Sequence, residues 1–160
     1  MLNRIETSLA SEGAQNLGLL LLRVFPGLVF TFHGAQKLFG AFGGGGLQGT
    51  TQFFESIGIP FASLNAAMAG GIEFFGGLAL IAGVATRLVS LPLVVTMIVA
   101  IVTVHPSGFD ARQGGMEYPL TLAGVTAAVF LLGPGRFRLP IGGLSRAPES
   151  APQVQPSSSN

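Results

Sequence analysis

The sequence predicts an all-α membrane protein, a four-transmembrane-helix bundle with a short interfacial helix in the first outer loop. Three observations predict it. Only 9% of the 160 residues are charged, against about 25% in soluble domains, whose exteriors must be covered with polar side chains. Mean hydropathy is +0.62. Apolar stretches near the 20 or so residues needed to cross about 30 Å of hydrocarbon recur four times. The same composition excludes other classes. A net charge of +1 with scattered basic residues gives no footprint for nucleic acid. The absence of cysteine removes disulfides, thiolate nucleophiles and iron–sulfur clusters. Any redox role then needs a bound cofactor or a partner.

Residues 1–16 form a cytoplasmic N-terminal segment. It carries Glu6 and Glu12 and lacks the basic-then-apolar order of a cleaved signal. The membrane domain covers 17–140. Its first span, 17–39, is apolar except for Arg23, His33, Gln36 and Lys37. Residues Gly43 to Gly46 then read as a flexible turn, followed by an amphipathic interfacial piece from Gln52 to Ile57. The glycine run lacks the Lys-Ser/Thr ending of a phosphate loop. The second span, 62–84, has Glu73 near its middle, and the third, 88–104, has no charge. Turn-formers fill His105 to Met116. The fourth span, 118–133, is the shortest and follows Glu117, with Pro119 in a first turn where its missing N–H costs little. Pro26 and Pro92 fall inside spans, where they make kinks. The tail, 141–160, is rich in Ser, Pro and Gln and is expected to be disordered and cytoplasmic.

Orientation follows from Lys and Arg near span ends, which are retained on the cytoplasmic side. Four spans put both termini on one side together with Arg4, Arg87, Arg136, Arg138 and Arg146, and leave Lys37 and Arg112 opposite. Both termini are therefore expected in the cytoplasm of a bacterial-type plasma (inner) membrane.

Ionisable groups inside spans cost about 2.5–3.5 kcal/mol on insertion scales and need pairing or a watery cavity. Arg23, Gly27, Phe30, Gly34 and Lys37 share one stripe of the first helix. Glu73 lies among small residues, Ala69, Gly70, Gly76 and Gly77, that allow close approach of a neighbour. Depths counted at about 1.5 Å per residue place Arg23 roughly 9 Å and Glu73 roughly 16 Å from the cytoplasmic side, so an Arg23–Glu73 ion pair is expected. The alternative is an Arg23 that snorkels and a protonated Glu73. Arg87 is an inner-face basic residue. His33, Lys37, His105 and Glu117 converge on the outer rim, where they could hold a quinone carbonyl or a carboxylate, or relay protons. Each also has a plainer role, His105 and Glu117 as helix-end residues and Lys37 as an interfacial anchor. Two histidines without further ligands make no metal site.

With these residues in view, the run Arg23 to Gly40, RVFPGLVFTFHGAQKLFG, resembles the opening signature of the DoxX family of small four-helix membrane proteins. Gly71 to Arg87, GIEFFGGLALIAGVATR, is similar to that family's second helix, and His105 with Glu117-Tyr118-Pro119 fits its later helices. The resemblance covers roughly residues 15 to 140. It implies an inner-membrane protein of the kind associated with terminal quinol oxidase and thiosulfate:quinone oxidoreduction. Its polar in-membrane positions carry over to Arg23, His33, Lys37, Glu73, Arg87, His105 and Glu117. The lack of cysteine argues against any role needing the chain's own thiols.

Two functions follow. One is a quinone-linked or redox-associated membrane component, whose catalysis would be that of a subunit of a quinone-dependent oxidoreductase. Its cofactor would be a quinone, and its partner a soluble or membrane oxidoreductase. The other is a non-enzymatic scaffold or small-molecule or lipid carrier, partnered by other proteins or by a second copy of itself in a homo-oligomer. Both sit in the lipid bilayer, and transport would need at least a dimer.

Overall fold

The computed structural model describes residues 11–140. Among the described residues there are five α-helices and no strand. They are α1 (Glu12–Phe39), α2 (Gly46–Ser56), α3 (Ala62–Ala82), α4 (Thr86–Thr103) and α5 (Glu117–Leu132). Short 3-10 turns at Ala41–Gly43 and Ala111–Gln113 sit in the two connections at one end. Three helices are long and apolar enough to cross a membrane, namely α1, α3 and α4. The fourth expected span is α5, apolar but only 16 residues long. The tail expected to be disordered, 141–160, and residues 1–10 lie outside the described residues.

Local chemistry sets the helix limits. Ser11 caps α1 by accepting from the Ala14 N–H at 3.3 Å, so the helix starts five residues before the expected span. Gly40, with φ of 68°, ends it in the left-handed region. The end of α3 is a Schellman motif, in which Gly83 (φ 73°) donates to Leu80 O and Val84 to Ala79 O.

The long helices run antiparallel in sequence order, and the α1–α3 interface is the most extensive. It is a glycine crossing. A Cβ on Gly34 would overlap the backbone of Phe74, and one on Gly77 would fall 2.6 Å from Gly27 O. Small residues on both faces let the two backbones approach closely, which in lipid replaces the hydrophobic driving force as the means of association. On the other side of α3, Gly76 receives Leu93 of α4. The buried core is Phe30, Leu80, Leu93, Met97, Leu122, Ala123 and Val129. Outward, Leu17, Phe25, Leu28, Leu88, Leu91, Val102 and Leu131 are exposed, a belt that water would penalise and lipid would not.

The glycine run between α1 and α2 is a packed turn rather than a flexible one. Gly43 and Gly46 take φ of 79° and 62°, and a Cβ on Gly44 would lie 2.6 Å from Gln36 Cα. The turn folds α2 back onto α1 and α3, held by Thr50 Oγ1, which donates to Gly46 O at 2.8 Å and reaches Lys37 O at 3.2 Å. At the opposite end, the segment after α5 crosses back over the bundle. Leu139 N donates to Ala82 O at 3.0 Å and Arg136 N to Asn16 Oδ1 at 2.8 Å.

Candidate functional site

The antiparallel register of α1 and α3 decides which charges meet. Gly34 lies against Phe74, Leu38 against Gly70 and Gly27 against Gly77, so the residue one turn past Gly34 faces Glu73. That residue is Lys37, and its Nζ pairs with Glu73 Oε2. The expected Arg23–Glu73 pair is therefore not the one formed. Arg23 lies beside Gly83, ten residues and about 15 Å along α3 from Glu73. Depth counted from the expected span ends does not align the two residues, because the first helix already begins at Glu12 and Arg23 stands level with Gly83, past the end of α3. Arg23 is 1% exposed and donates instead to the carbonyls of Pro134 and Phe137.

Around Lys37 and Glu73 opens a cavity of about 860 Å³, bounded by all five helices. Phe30, Phe53, Phe54, Met68, Ile72, Val95, Met97, Val99 and Leu122 give it a largely apolar wall. A minority of polar side chains, among them the paired Lys37 and Glu73, is set into that apolar wall, the pattern of a small-molecule site. Glu73 has a side-chain exposure of 3% and Lys37 of 28%, so the carboxylate is deep and the lysine side chain is the more accessible of the two. His33 and Tyr118 also line the cavity, with His33 Nε2 and Tyr118 Oη 3.4 Å apart. His105 lines it too, with the uncharged polar side chains of Thr50, Asn65, Thr96 and Thr103. Its Nδ1 lies 2.9 Å from Gly114 O, and since a carbonyl only accepts, Nδ1 carries a proton. In the neutral ring Nε2 is then the acceptor.

Three of the four expected rim residues, His33, Lys37 and His105, are brought together here. Glu117 is not. Its Oε1 accepts from Ala111 N at 3.0 Å, and its own N–H donates to Phe109 O at 2.9 Å, so it orders the loop that precedes α5. In that loop Asp110 accepts from the side chain and backbone N–H of Arg112, which hold its carboxyl below the usual range. Arg87 reaches Leu131 O at 3.4 Å at the far end of the bundle, where it complements the C-terminus of α5. Tyr118 was missed because an aromatic residue at a span end reads as an interfacial anchor. Its being the sole tyrosine of the chain was the available signal. Among the described residues, no group of three His, Asp or Glu side chains could hold a metal ion.

The DoxX family pattern matches residues 18–106. The chain belongs to the DoxX family. That match takes in Arg23, His33, Lys37, Glu73, Arg87 and His105 and stops before Glu117 and Tyr118. The DoxX chain is 37% identical over 113 residues to "Putative oxidoreductase CatD" of Bacillus subtilis, covering 71% of this chain and 78% of the relative. It is 33% identical over 144 residues to "Uncharacterized membrane protein Rv3486" of Mycobacterium tuberculosis, covering 82% and 83%. No solved structure gives a significant match. With its apolar helices and lipid-suited belt, this DoxX chain is a membrane protein.

Proposed function

We propose that this DoxX protein is a four-span inner-membrane component of a redox system that holds a quinone headgroup in the cavity beside Lys37 and Glu73. A partner oxidoreductase supplies or takes the electrons. The carrying observation is the convergence of Lys37, His33, Tyr118 and His105 in an apolar cavity of about 860 Å³. The name of the Bacillus relative points the same way. A bound quinone would supply the two-electron, two-proton chemistry that side chains lacking cysteine do not have.

The donor set suits such a group. Lys37 and the Tyr118 hydroxyl donate to carbonyl oxygen, while the aromatic and aliphatic wall excludes water from the ring. His105 Nε2, with Nδ1 tied to Gly114, is oriented to accept a proton from a hydroxyl of the reduced form and pass it to the rim. Glu73 keeps the Lys37 ammonium in place. In this reading α5 is the fourth span, α2 lies at the outer interface, and the termini with Arg87, Arg136 and Arg138 face the cytoplasm.

The test is extraction of lipid-soluble molecules from protein purified in mild detergent, followed by mass spectrometry. Quinone should be retained by the wild type and lost in Lys37→Ala and in His105→Ala. Protein that holds none and shows no thermal shift with added quinone would overturn the proposal. A scaffold reading has one observation in its favour, since the Lys37–Glu73 pair also clasps α1 to α3 beside the glycine crossing. It expects both substitutions to change stability or assembly alone, with no quinone effect.

A further inference from the structure

At the other end of the bundle a second concavity, of about 480 Å³, opens between the end of α3 and the segment 137–139. Leu78, Ile81, Phe137 and Leu139 form its apolar walls, and Arg23 and Arg138 are its cations. Arg23 is buried, its two Nη atoms satisfied by carbonyls and its Nε without a hydrogen-bond partner. Carbonyl dipoles satisfy donors but do not neutralise a charge, and a buried cation without a counter-ion is costly. Among the described residues no carboxylate lies within 4.0 Å of Arg23, Arg87 or Arg138. The acid pairing at this end, Glu12 with Arg136 at 3.7 Å, serves another arginine.

We propose that this groove binds an anionic phospholipid. The phosphate sits on Arg138, within the field of buried Arg23, and an acyl chain runs along Leu78 and Leu139. Two features select a lipid over a free anion. The cations border an apolar wall rather than a polar basin, and that wall is continuous with the exposed apolar surface, Leu78 being 44% and Leu139 63% exposed. Phosphate matches the guanidinium fork in geometry and charge. The inference is independent of the quinone reading, since the two sites lie at opposite ends of the bundle.

The experiment measures the unfolding temperature of the full chain in a neutral detergent with phosphatidylglycerol, phosphatidylcholine of the same chains, or inorganic phosphate. Phosphatidylglycerol should give a saturable rise that the other two do not. Arg138→Gln should weaken the apparent affinity about fivefold, and Leu78→Gln should weaken it too, both residues being exposed and so replaceable without loss of fold. Arg136→Gln should leave it unchanged. An equal rise with phosphatidylcholine, or full affinity in both the Arg138 and Leu78 variants, would overturn the proposal. A rise with phosphate alone that matches the lipid would assign the groove to a soluble phosphate and overturn it as well.

Discussion

Lys37 and Arg23 stand on the same stripe of α1, yet one ends beside a carboxylate and the other beside two carbonyls. The difference lies in what α3 offers at each level: Glu73 near its middle, and only the turn at Gly83 past its end. Removing one member of a buried pair leaves the other charge unsatisfied. Lys37→Met should therefore lower stability by about 3 kcal/mol, with Lys37→Met/Glu73→Gln recovering most of the loss. Thermal unfolding of the two variants and of Glu73→Gln alone closes the cycle, and additive losses would show that the two do not act as a pair. The polar residues themselves were legible in the sequence, because insertion cost makes any charge in a span conspicuous. Their pairing was not, since it depends on a register fixed by Gly34 against Phe74, a contact with no local signature. Glu117 was misplaced for a related reason. Its partner, Ala111 N, is supplied by a loop whose fold depends on Gly114 and Gly115.

At the scale of the helices, the glycines inside them separate into two kinds. Gly27, Gly34 and Gly77 meet opposing backbone, whereas Gly124 in α5 has nothing within 4 Å of a Cβ. Gly77→Val should abolish correct packing of α1 on α3 and cut the yield of monodisperse protein. Gly124→Ala should be neutral or raise stability by up to about 1 kcal/mol through helix propensity. Size-exclusion profiles and melting temperatures distinguish the two, and a Gly77→Val protein as stable as wild type would refute the glycine crossing. Hydropathy runs made the long helices legible, and the small residues around Glu73 announced a close neighbour. Two features were hidden. The close packing of the glycine turn comes from Gly44 against Gln36, and the return of residues 133–140 across the bundle rests on Arg23, Asn16 and Ala82.

For the whole molecule, antiparallel helices in sequence order put residues 105–116 at one end and the segment after α5 at the other. With α5 as the fourth span, the chain's lack of cysteine makes this directly measurable. A single cysteine at Ser107 should react with a membrane-impermeant maleimide in intact cells, while one at Gly13 should react only after lysis. The reverse pattern would invert the topology without altering the cavity. Both the cavity and the arginine-rich groove come from the same architecture, in which apolar helices keep a single acid, Glu73, near mid-helix and carry their remaining charges toward the two ends.

Photolabelling with an azidoquinone, mapped by peptide mass spectrometry, shows whether the cavity around Lys37 and Glu73 holds a quinone headgroup. Label is expected on cavity-lining stretches, Val95 to His105 and Tyr118 to Leu122, suppressed by excess unlabelled quinone and diminished in Lys37→Ala. Label spread over the lipid-facing Leu88, Leu91 and Leu131 and indifferent to competition would contradict it.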